Sequence, residues 1–231
     1  MIKLDMQVHS YYSFDCLSSP ENIAETAVRK GLDGFSITDH NVFRADWDAL
    51  RRKFPGLIIV PGMEIGTDLG DILLYFAEEE IRTRKAEEVV DAIHVQGGIA
   101  VLAHPFHRRR YDYPQSFLEK LDGIETRNSH NFENSALCDE LGRKCGKCIT
   151  GGSDAHFLSE IGNGYTVVEI DRDAASDMEV LKAALLRNTA EPFCRAGPSW
   201  NFFASQMIKY SKRLGLFPSR CASIIHGRSE P

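Results

Sequence analysis

The sequence has little that would place the chain in or across a membrane. Its 231 residues contain no apolar run of the length that a membrane-spanning helix needs. The first ten residues, MIKLDMQVHS, lack the basic region and the apolar core of a signal peptide. We therefore expect a cytoplasmic protein.

Paired cysteines and excess positive charge are missing as well. The six cysteines are scattered, and Cys145 and Cys148 form the only close pair. A zinc ribbon needs a second such pair, so we expect structural thiols in a reducing compartment, with a redox pair as the weaker alternative. The net charge of −6 argues against a general nucleic-acid-binding surface. The chain also has no glycine-rich phosphate loop of the P-loop type.

What the sequence does contain is a regular alternation of strand-like and helix-like segments. Strands are predicted at residues 2–9, 34–38, 57–61, 71–76, 99–103, 123–126, 148–150 and 165–170. The short linkers favour parallel strands with right-handed crossovers, so we predict an α/β barrel, closed or partly closed, of about seven strands. Residues 1–196 would form this barrel, and residues 197–231 would form a C-terminal helix and a loose tail.

Imidazole and carboxylate side chains follow the ends of several predicted strands. Four of the eight histidines, His9, His40, His104 and His156, fall at the C-terminal end of four different strands. In a parallel barrel those ends open on one face, where active sites are built. A lone histidine after a strand is more often structural, but this concentration predicts a metal centre for zinc, iron or manganese.

Taken together, these motifs resemble the PHP family, the polymerase and histidinol phosphatase superfamily. The matching pieces are DMQVHS, SPENI, ITDHN, VPGMEI, LAHPF and GGSDAH, which occur in this order from the first residue to about residue 170. The resemblance implies a distorted seven-stranded α/β barrel that holds two or three divalent metal ions, Zn²⁺, Mn²⁺ or Fe²⁺. It also implies hydrolysis of phosphate esters, the activity of most known members.

The resemblance further assigns ligands to three metal sites. The first site would comprise Gln7, His9, Glu64 and Asp154. Glu64 would bridge to a second site that also contains Asp71 and His104. The third site would comprise Asp15, His40 and His156. The residues that it implies for catalysis are His9, Glu64, His104, Asp154 and His156.

Two of these positions depart from the family pattern. Asp71 stands where many small members have histidine, and its carboxylate can bind the same metals. Gln7 stands where members usually have histidine, and an amide oxygen is a poorer zinc ligand than imidazole. The first site would therefore be weakened, prefer a harder ion such as Mn²⁺, or be empty. Asp5 shares the strand face of Gln7 and His9, and we expect it to orient the ligands.

Phosphate substrates need positive charge beyond the metals. The candidates are five arginines: Arg108, Arg109, Arg110, Arg127 and Arg195. Guanidinium groups suit phosphate, although the run of three could equally be a solvated surface. A local basic patch favours a small phosphomonoester, a nucleotide or an oligonucleotide end over long duplexes. We expect His107 to contact substrate and His94 to be structural. The sequence assigns no role to His130.

Three functions remain compatible with these residues. The first is a metal-dependent phosphoesterase that uses a metal-activated water. The second is a hydrolase of C–N bonds on a related barrel, which usually needs a carboxylated lysine or an HxH pair, so Gln7 counts against it. The third is a non-catalytic or weakly active PHP module that binds metal or a partner, for which Gln7 is the main argument.

Overall fold

The computed structural model describes residues 1–107, 112–197 and 200–216, without the side chain of Phe202. Nine strands lie within these ranges: β1 (Ile2–Val8), β2 (Gly34–Ile37), β3 (Ile58–Thr67), β4 (Gly70–Tyr75), β5 (Ile99–Leu102), β6 (Gly123–Asn128), β7 (Cys148–Gly152), β8 (Gly164–Val168) and β9 (Glu191–Cys194). Seven α-helices accompany them: α1 (Pro20–Arg29), α2 (Trp47–Lys53), α3 (Ala86–Val95), α4 (Gln115–Lys120), α5 (Ser135–Cys145), α6 (Met178–Leu186) and α7 (Trp200–Arg213). The short elements β9 and α4 have no counterpart in the sequence prediction.

The strands form one sheet in the order β7-β6-β5-β4-β3-β2-β1-β8-β9. The runs β1-β2-β3 and β5-β6-β7 are parallel, as the sequence predicts. β4 is antiparallel to both neighbours, and β8 and β9 are antiparallel additions beside β1. The all-parallel arrangement is therefore wrong, and the described residues form nine strands where about seven were expected. The reason for β4 is local, because only Asp68 and Leu69 connect it to β3 and so short a connection makes a hairpin.

The two halves of the sheet meet beside β1 and nearly close the barrel. The Asp154 N–H donates to the Gln7 carbonyl over 2.8 Å, and the His9 N–H donates to the Ala155 carbonyl over 2.9 Å. Gly152 allows this approach, because a Cβ at this position would lie 2.6 Å from the Gln7 Cβ. The segment after β7 is thereby held against the end of β1.

The helices pack on the outside of the sheet, and their ends follow from the sequence. Ser19 caps α1 by accepting a hydrogen bond from the Asn22 N–H, and Pro20 occupies the first helical position. The buried face of α1 packs in an apolar cluster that includes Ile23 and Phe35. Each such side chain removed from water contributes about 1.5–3 kcal/mol, so the helix is fixed against β2.

The C-terminal helix α7 lies against the loops at the end of the barrel where the predicted ligands are found. The Asn201 amide donates to the Glu160 carboxylate near its first turn, and Lys212 donates to the backbone of residues 11–16 near its last turn. Residues 217–231, which cover most of the predicted tail, lie outside the described ranges. None of the helices within those ranges has the length and hydropathy of a membrane span.

Candidate metal centre

The strands deliver the predicted ligands to one mouth of the barrel. His9, His104 and His156 follow the C-terminal ends of β1, β5 and β7, and Glu64 lies in β3 just past its pairing with β2. Asp71 stands at the start of β4, and it reaches the same edge because β4 runs antiparallel to β3 and β5. The hairpin that breaks the parallel pattern is thus what brings this carboxylate to the mouth.

The first cluster joins His9, Glu64 and Asp154, all buried. His9 Nε2 lies 3.0 Å from Asp154 Oδ1 and 3.2 Å from Glu64 Oε2. The three potential ligand atoms lie within 4.8 Å of one another, close enough to share a single ion. The other ring nitrogen of His9, Nδ1, is 3.2 Å from the Ser13 hydroxyl, which fixes the orientation of the imidazole.

The second cluster uses the other oxygen of the same glutamate. Glu64 Oε1 lies 3.2 Å from His104 Nε2, and Asp71 completes a set whose ligand atoms again lie within 4.8 Å of one another. The sequence assigned these three residues to one site through the resemblance, and the structure brings them together. Glu64 is therefore shared between two clusters.

The third predicted set, Asp15, His40 and His156, also converges. Asp15 Oδ2 lies 3.3 Å from His156 Nε2 and 3.5 Å from His40 Nε2. His40 stacks on His9 with 4.3 Å between ring centres, so the third set is continuous with the first. His9, His40 and His156 also form a group of their own whose ring nitrogens lie within 4.8 Å of one another.

Backbone strain is concentrated in the same segments. Asp154 and His104 have positive φ angles of 55° and 25°, and Asn41, next to His40, has a φ of 57°. Residues other than glycine rarely adopt this region, and they persist there only where the surroundings hold them. The closure of the sheet onto β1 supplies that constraint for Asp154.

Gln7 faces the first cluster, and the atom that contacts it is the amide nitrogen, not the amide oxygen. Its Nε2 donates to Glu64 Oε2 over 2.8 Å, and its Oε1 accepts a hydrogen bond from Asn128 Nδ2 over 3.0 Å. The sequence predicts an amide oxygen as a metal ligand at this position. The structure gives Gln7 a different contact, that of a donor that orients the shared carboxylate.

Asp5 also differs in detail from the expected role. Its Oδ1 accepts a hydrogen bond from the Ser153 N–H and its Oδ2 accepts one from the Gly162 N–H, both over 2.8 Å. Asp5 thus holds the backbone of the segment that carries Asp154 and His156, rather than a ligand side chain. Burial is the main influence on its carboxyl and raises its pKa to about 7.

The charges of the clusters are strongly coupled. Burial alone would lower the pKa of His104, but the hydrogen bond to Glu64 and its negative charge raise that pKa to about 10. Burial would likewise lower the pKa of His9, but hydrogen bonds to Asp154 and Glu64 raise it well above its usual value. Burial would raise the pKa of Glu64, which nearby His40 and His104 instead lower. Without metal, His104 would thus keep its proton beside the Glu64 carboxylate, and a divalent ion bound there would displace that proton.

The side chains present fit divalent metal ions. Imidazole nitrogens and carboxylate oxygens are the ligands that zinc, manganese and iron take in proteins. Asp15 Oδ1 is buried and has no hydrogen-bond partner within the described ranges, a deficit that a bound cation would remove. The residues of the three clusters could therefore hold ions, with Glu64 common to the first two.

Two buried acids at the mouth have no counterpart in the sequence prediction. Glu160 Oε1 lies 2.9 Å from His130 Nε2, and its Oε2 accepts the His156 N–H over 2.9 Å. Glu125 Oε2 accepts the His104 N–H over 2.8 Å, while its Oε1 is buried without a partner in the described part of the chain. The pKa of Glu125, raised by burial to about 8, fits a carboxyl that keeps its proton. For Glu125, the sequence signal was an acidic residue inside a predicted strand, GIET.

Of the five arginines predicted to bind phosphate, the two that the structure describes, Arg127 and Arg195, are not brought to the mouth. Arg127 pairs bidentately with Asp139 of α5, and Arg195 donates to the Asn163 side chain over 2.8 Å. Neither lines the pocket. The other three, Arg108, Arg109 and Arg110, lie outside the described residues.

Three histidines and the cysteine pair can also be placed. His107 and His130 both line the pocket, whereas His94 lies far from it and contacts Asp122 at 2.9 Å. The substrate-side role of His107 and the structural role of His94 stay predictions. Cys145 and Cys148 are both free thiols, and burial raises the pKa of Cys148 to about 12.

The clusters line a pocket of about 250 Å³ that opens between the strand ends and α7. Apart from the predicted ligands, its walls include Phe14, Asn41, His107 and His130. α7 contributes three further side chains: Ser205, Gln206 and Lys209. The C-terminal helix is therefore part of the pocket wall.

Two family models and several known proteins are similar to this chain. The family model described as PHP domain matches residues 5–46, and the model described as PHP-associated matches residues 136–189. An uncharacterised protein of Methanocaldococcus jannaschii is 31% identical over 144 residues, which cover 56% of this chain and 84% of that protein. A Vibrio campbellii protein named "Probable phosphatase" is 25% identical over 221 residues, covering 78% of this chain and 88% of that protein.

A solved structure shares the fold. It is a two-domain protein from Bacteroides vulgatus containing a predicted PHP-like metal-dependent phosphoesterase, with a TM-score of 0.69 and 18% identity over 89% of this chain and 69% of that one. The first family match contains His9, Asp15 and His40, and the second contains Asp154 and His156. With the archaeal relative identical at nearly a third of aligned positions over most of its length, these matches show that the chain belongs to the PHP family.

Proposed function

We propose that this protein hydrolyses phosphate monoesters in a metal-dependent reaction. The observation that carries the proposal is the position of Glu64, whose Oε1 is 3.2 Å from His104 Nε2 and whose Oε2 is 3.2 Å from His9 Nε2. One carboxylate shared by two ligand clusters can hold two ions close together, the arrangement that many phosphoryl-transfer sites use. The description of the Bacteroides protein and the name of the Vibrio relative support the same activity.

The protein's own residues would bind the metal ions and the substrate, orient them, and protonate the leaving oxygen. Divalent ions at the clusters would supply Lewis acidity towards a phosphoryl oxygen and lower the pKa of a water molecule. Gln7 and Glu125 hold Glu64 and the His104 backbone in place through hydrogen bonds of 2.8 Å. These contacts keep the shared carboxylate and the neighbouring imidazole in position before substrate arrives.

His130 is the group best placed to donate a proton to the leaving oxygen. It lines the pocket, with Nδ1 3.9 Å from Asp154 Oδ2 and with Nε2 held 2.9 Å from Glu160. Burial would lower its pKa, but the hydrogen bond to Glu160 and the charges of Asp154 and Glu160 raise it. An imidazole whose pKa is raised and whose ring is fixed by a carboxylate is suited to general-acid catalysis.

The pocket favours a small substrate. Its volume of about 250 Å³ is below the usual range for sites that enclose drug-sized ligands, about 300–1,000 Å³. Because α7 borders one side, the pocket can admit a phosphomonoester, a nucleotide or the end of an oligonucleotide. It cannot admit the side of a long duplex. A non-catalytic module is the less favoured alternative, because Gln7 supports Glu64 without disturbing the clusters.

Removal and return of metal tests the proposal. Protein stripped by a chelator would be supplied with Mn²⁺, Zn²⁺ or Fe²⁺ and assayed for phosphate release from p-nitrophenyl phosphate, nucleoside monophosphates and 5′-phosphorylated oligonucleotides. We expect activity only with metal and none in Asp154→Asn, while Asp139→Asn, outside the pocket, behaves as wild type. Failure of every metal to produce phosphate, or full activity in Asp154→Asn, would contradict the proposal.

A further inference from the structure

α7 brings a lysine to the rim of the pocket. The Lys209 ammonium lies 4.7 Å from the centre of the Phe14 ring. Phe14 stacks on His40 with 4.8 Å between ring centres, and His40 stacks on His9 at 4.3 Å. Lys209 therefore stands at the outer end of a row of rings that begins in the first cluster.

The fold does not neutralise this charge. Within the described ranges Lys209 forms no ion pair, and its ammonium lies over the face of the Phe14 ring. Asp15, which follows Phe14 in the chain and carries a carboxylate in the pocket, already faces His40 and His156. A cation held over an aromatic face at a pocket rim is available to an anionic ligand.

We propose that Lys209, with Gln206 beside it on the pocket wall, binds anionic oxygens of the substrate. The inference rests on the proposed phosphoesterase function and adds the group that recognises the charge of the ester. Lys209 would act as a specificity residue that favours dianionic monoesters over neutral or monoanionic esters. It would supply the positive charge that Arg127 and Arg195, engaged elsewhere, do not bring to the mouth.

The test compares Lys209→Met with Lys209→Arg and with Arg213→Met, an exposed basic residue of the same helix. For p-nitrophenyl phosphate we expect Lys209→Met to raise KM about 10-fold to 100-fold, with kcat and metal content close to wild type. Lys209→Arg should recover most of the loss, and Arg213→Met should show none. Discrimination against bis-p-nitrophenyl phosphate, a monoanionic diester, should fall in Lys209→Met.

Binding of inorganic phosphate to the metal-loaded proteins, measured by calorimetry, gives an answer that does not depend on turnover. Weaker phosphate binding in Lys209→Met, with unchanged metal content, supports the role of Lys209 even if no substrate is hydrolysed and the proposed function fails. Equal phosphate affinity and equal KM in Lys209→Met and wild type would overturn the inference while leaving the phosphoesterase proposal intact.

A second inference comes from the other end of α7, where Lys212 is buried although it carries a charge. Its ammonium donates to three backbone carbonyls, those of Tyr11, Ser13 and Cys16, over 2.9, 2.6 and 2.7 Å. The loop that these carbonyls belong to carries Asp15 of the third cluster. An ammonium group has three protons, so these contacts can use all of them.

We infer that Lys212 is a positioning residue that holds the loop of residues 11–16 so that Asp15 meets His40 and His156. The same loop presents Ser13, whose hydroxyl accepts the His40 N–H over 2.9 Å. α7, nearly two hundred residues away in sequence, would therefore be needed to assemble the third cluster, and through Ser13 it would also help to orient His9 of the first cluster.

Metal content separates this role from general support of the fold. We expect metal-saturated Lys212→Met to bind fewer ions per chain than wild type, and no more than Asp15→Asn binds, with the second cluster still occupied. Asn201→Ala, which removes a contact of the first turn of α7, serves as the control for loosening the helix. If Lys212→Met does not fold, Lys212→Gln, which keeps a donor, replaces it. Full metal content in a folded Lys212 variant would overturn the inference.

Discussion

Glu64→Gln is the change that tests the shared carboxylate most severely. The substitution keeps the shape of the side chain and removes a negative charge that faces His9 at 3.2 Å, His104 at 3.2 Å and His40 at 3.5 Å. Both clusters lose a charged ligand at once. If the bound metals contribute about 4 kcal/mol to transition-state stabilisation, the rate falls about a thousandfold.

The same substitution has a separate signature in metal-stripped protein. Breaking a buried ion pair costs about 3–5 kcal/mol because the partner charge is left uncompensated. The raised pKa of His104, about 10, means that its imidazolium stabilises the fold fully below its unfolded pKa and loses this effect as pH rises through 10. We therefore expect Glu64→Gln to lower the free energy of unfolding at pH 7 by about 3 kcal/mol, and by less as pH approaches 10.

The assays are urea unfolding of stripped protein, elemental analysis of metal-loaded protein and phosphate release. Asp139→Asn, which breaks a partly exposed pair with Arg127, is the matched control and should change none of the three strongly. If Glu64→Gln keeps its full metal content and remains within a few-fold of wild-type activity, Glu64 is not a shared ligand and the reasoning is wrong.

Four further substitutions have definite expected outcomes. His104→Ala and Asp154→Ala should lose nearly all phosphatase activity while circular dichroism shows a folded protein, and activity within a few-fold of wild type would count against a metal hydrolase. Gln7→His should raise the metal content of the first cluster by elemental analysis, because an imidazole replaces an amide aimed at Glu64, and unchanged content would remove position 7 from the site. In metal-stripped protein, the folded pKa of Glu125, about 8, should make the free energy of unfolding fall as pH rises from about 4.5 to 8, by at most about 1.4 kcal/mol per pH unit. Glu125→Gln should abolish this contribution to the pH dependence in urea titrations.

Much of the site could be predicted from the sequence because ligands follow strand ends. Period-two alternation correctly placed Gln7 and His9 on one buried face, and the parallel strands β1, β2, β5 and β7 end at one mouth as expected. The alternation could not say which atom of the Gln7 amide faces Glu64, since that depends on Asn128, which lies 121 residues away.

The errors have equally local causes. The antiparallel β4 follows from the two-residue connection at Asp68 and Leu69, and the sequence prediction took each linker as a crossover. Arg127 was a candidate only for its guanidinium, and in the structure it pairs with Asp139 of α5 instead of lining the pocket. The part played by α7 depends on contacts between residues 11–16 and Lys212, which no local pattern records.

Anomalous X-ray diffraction from crystals grown with Mn²⁺ and inorganic phosphate tests the central claim most directly. The account predicts one ion bound by Glu64 together with His9 and Asp154, and a second bound by Glu64 together with Asp71 and His104. Each ion should lie about 2.0–2.2 Å from its ligand atoms, and phosphate should contact both ions. Saturating Mn²⁺ without anomalous density beside Glu64, or with phosphate bound elsewhere, would contradict it.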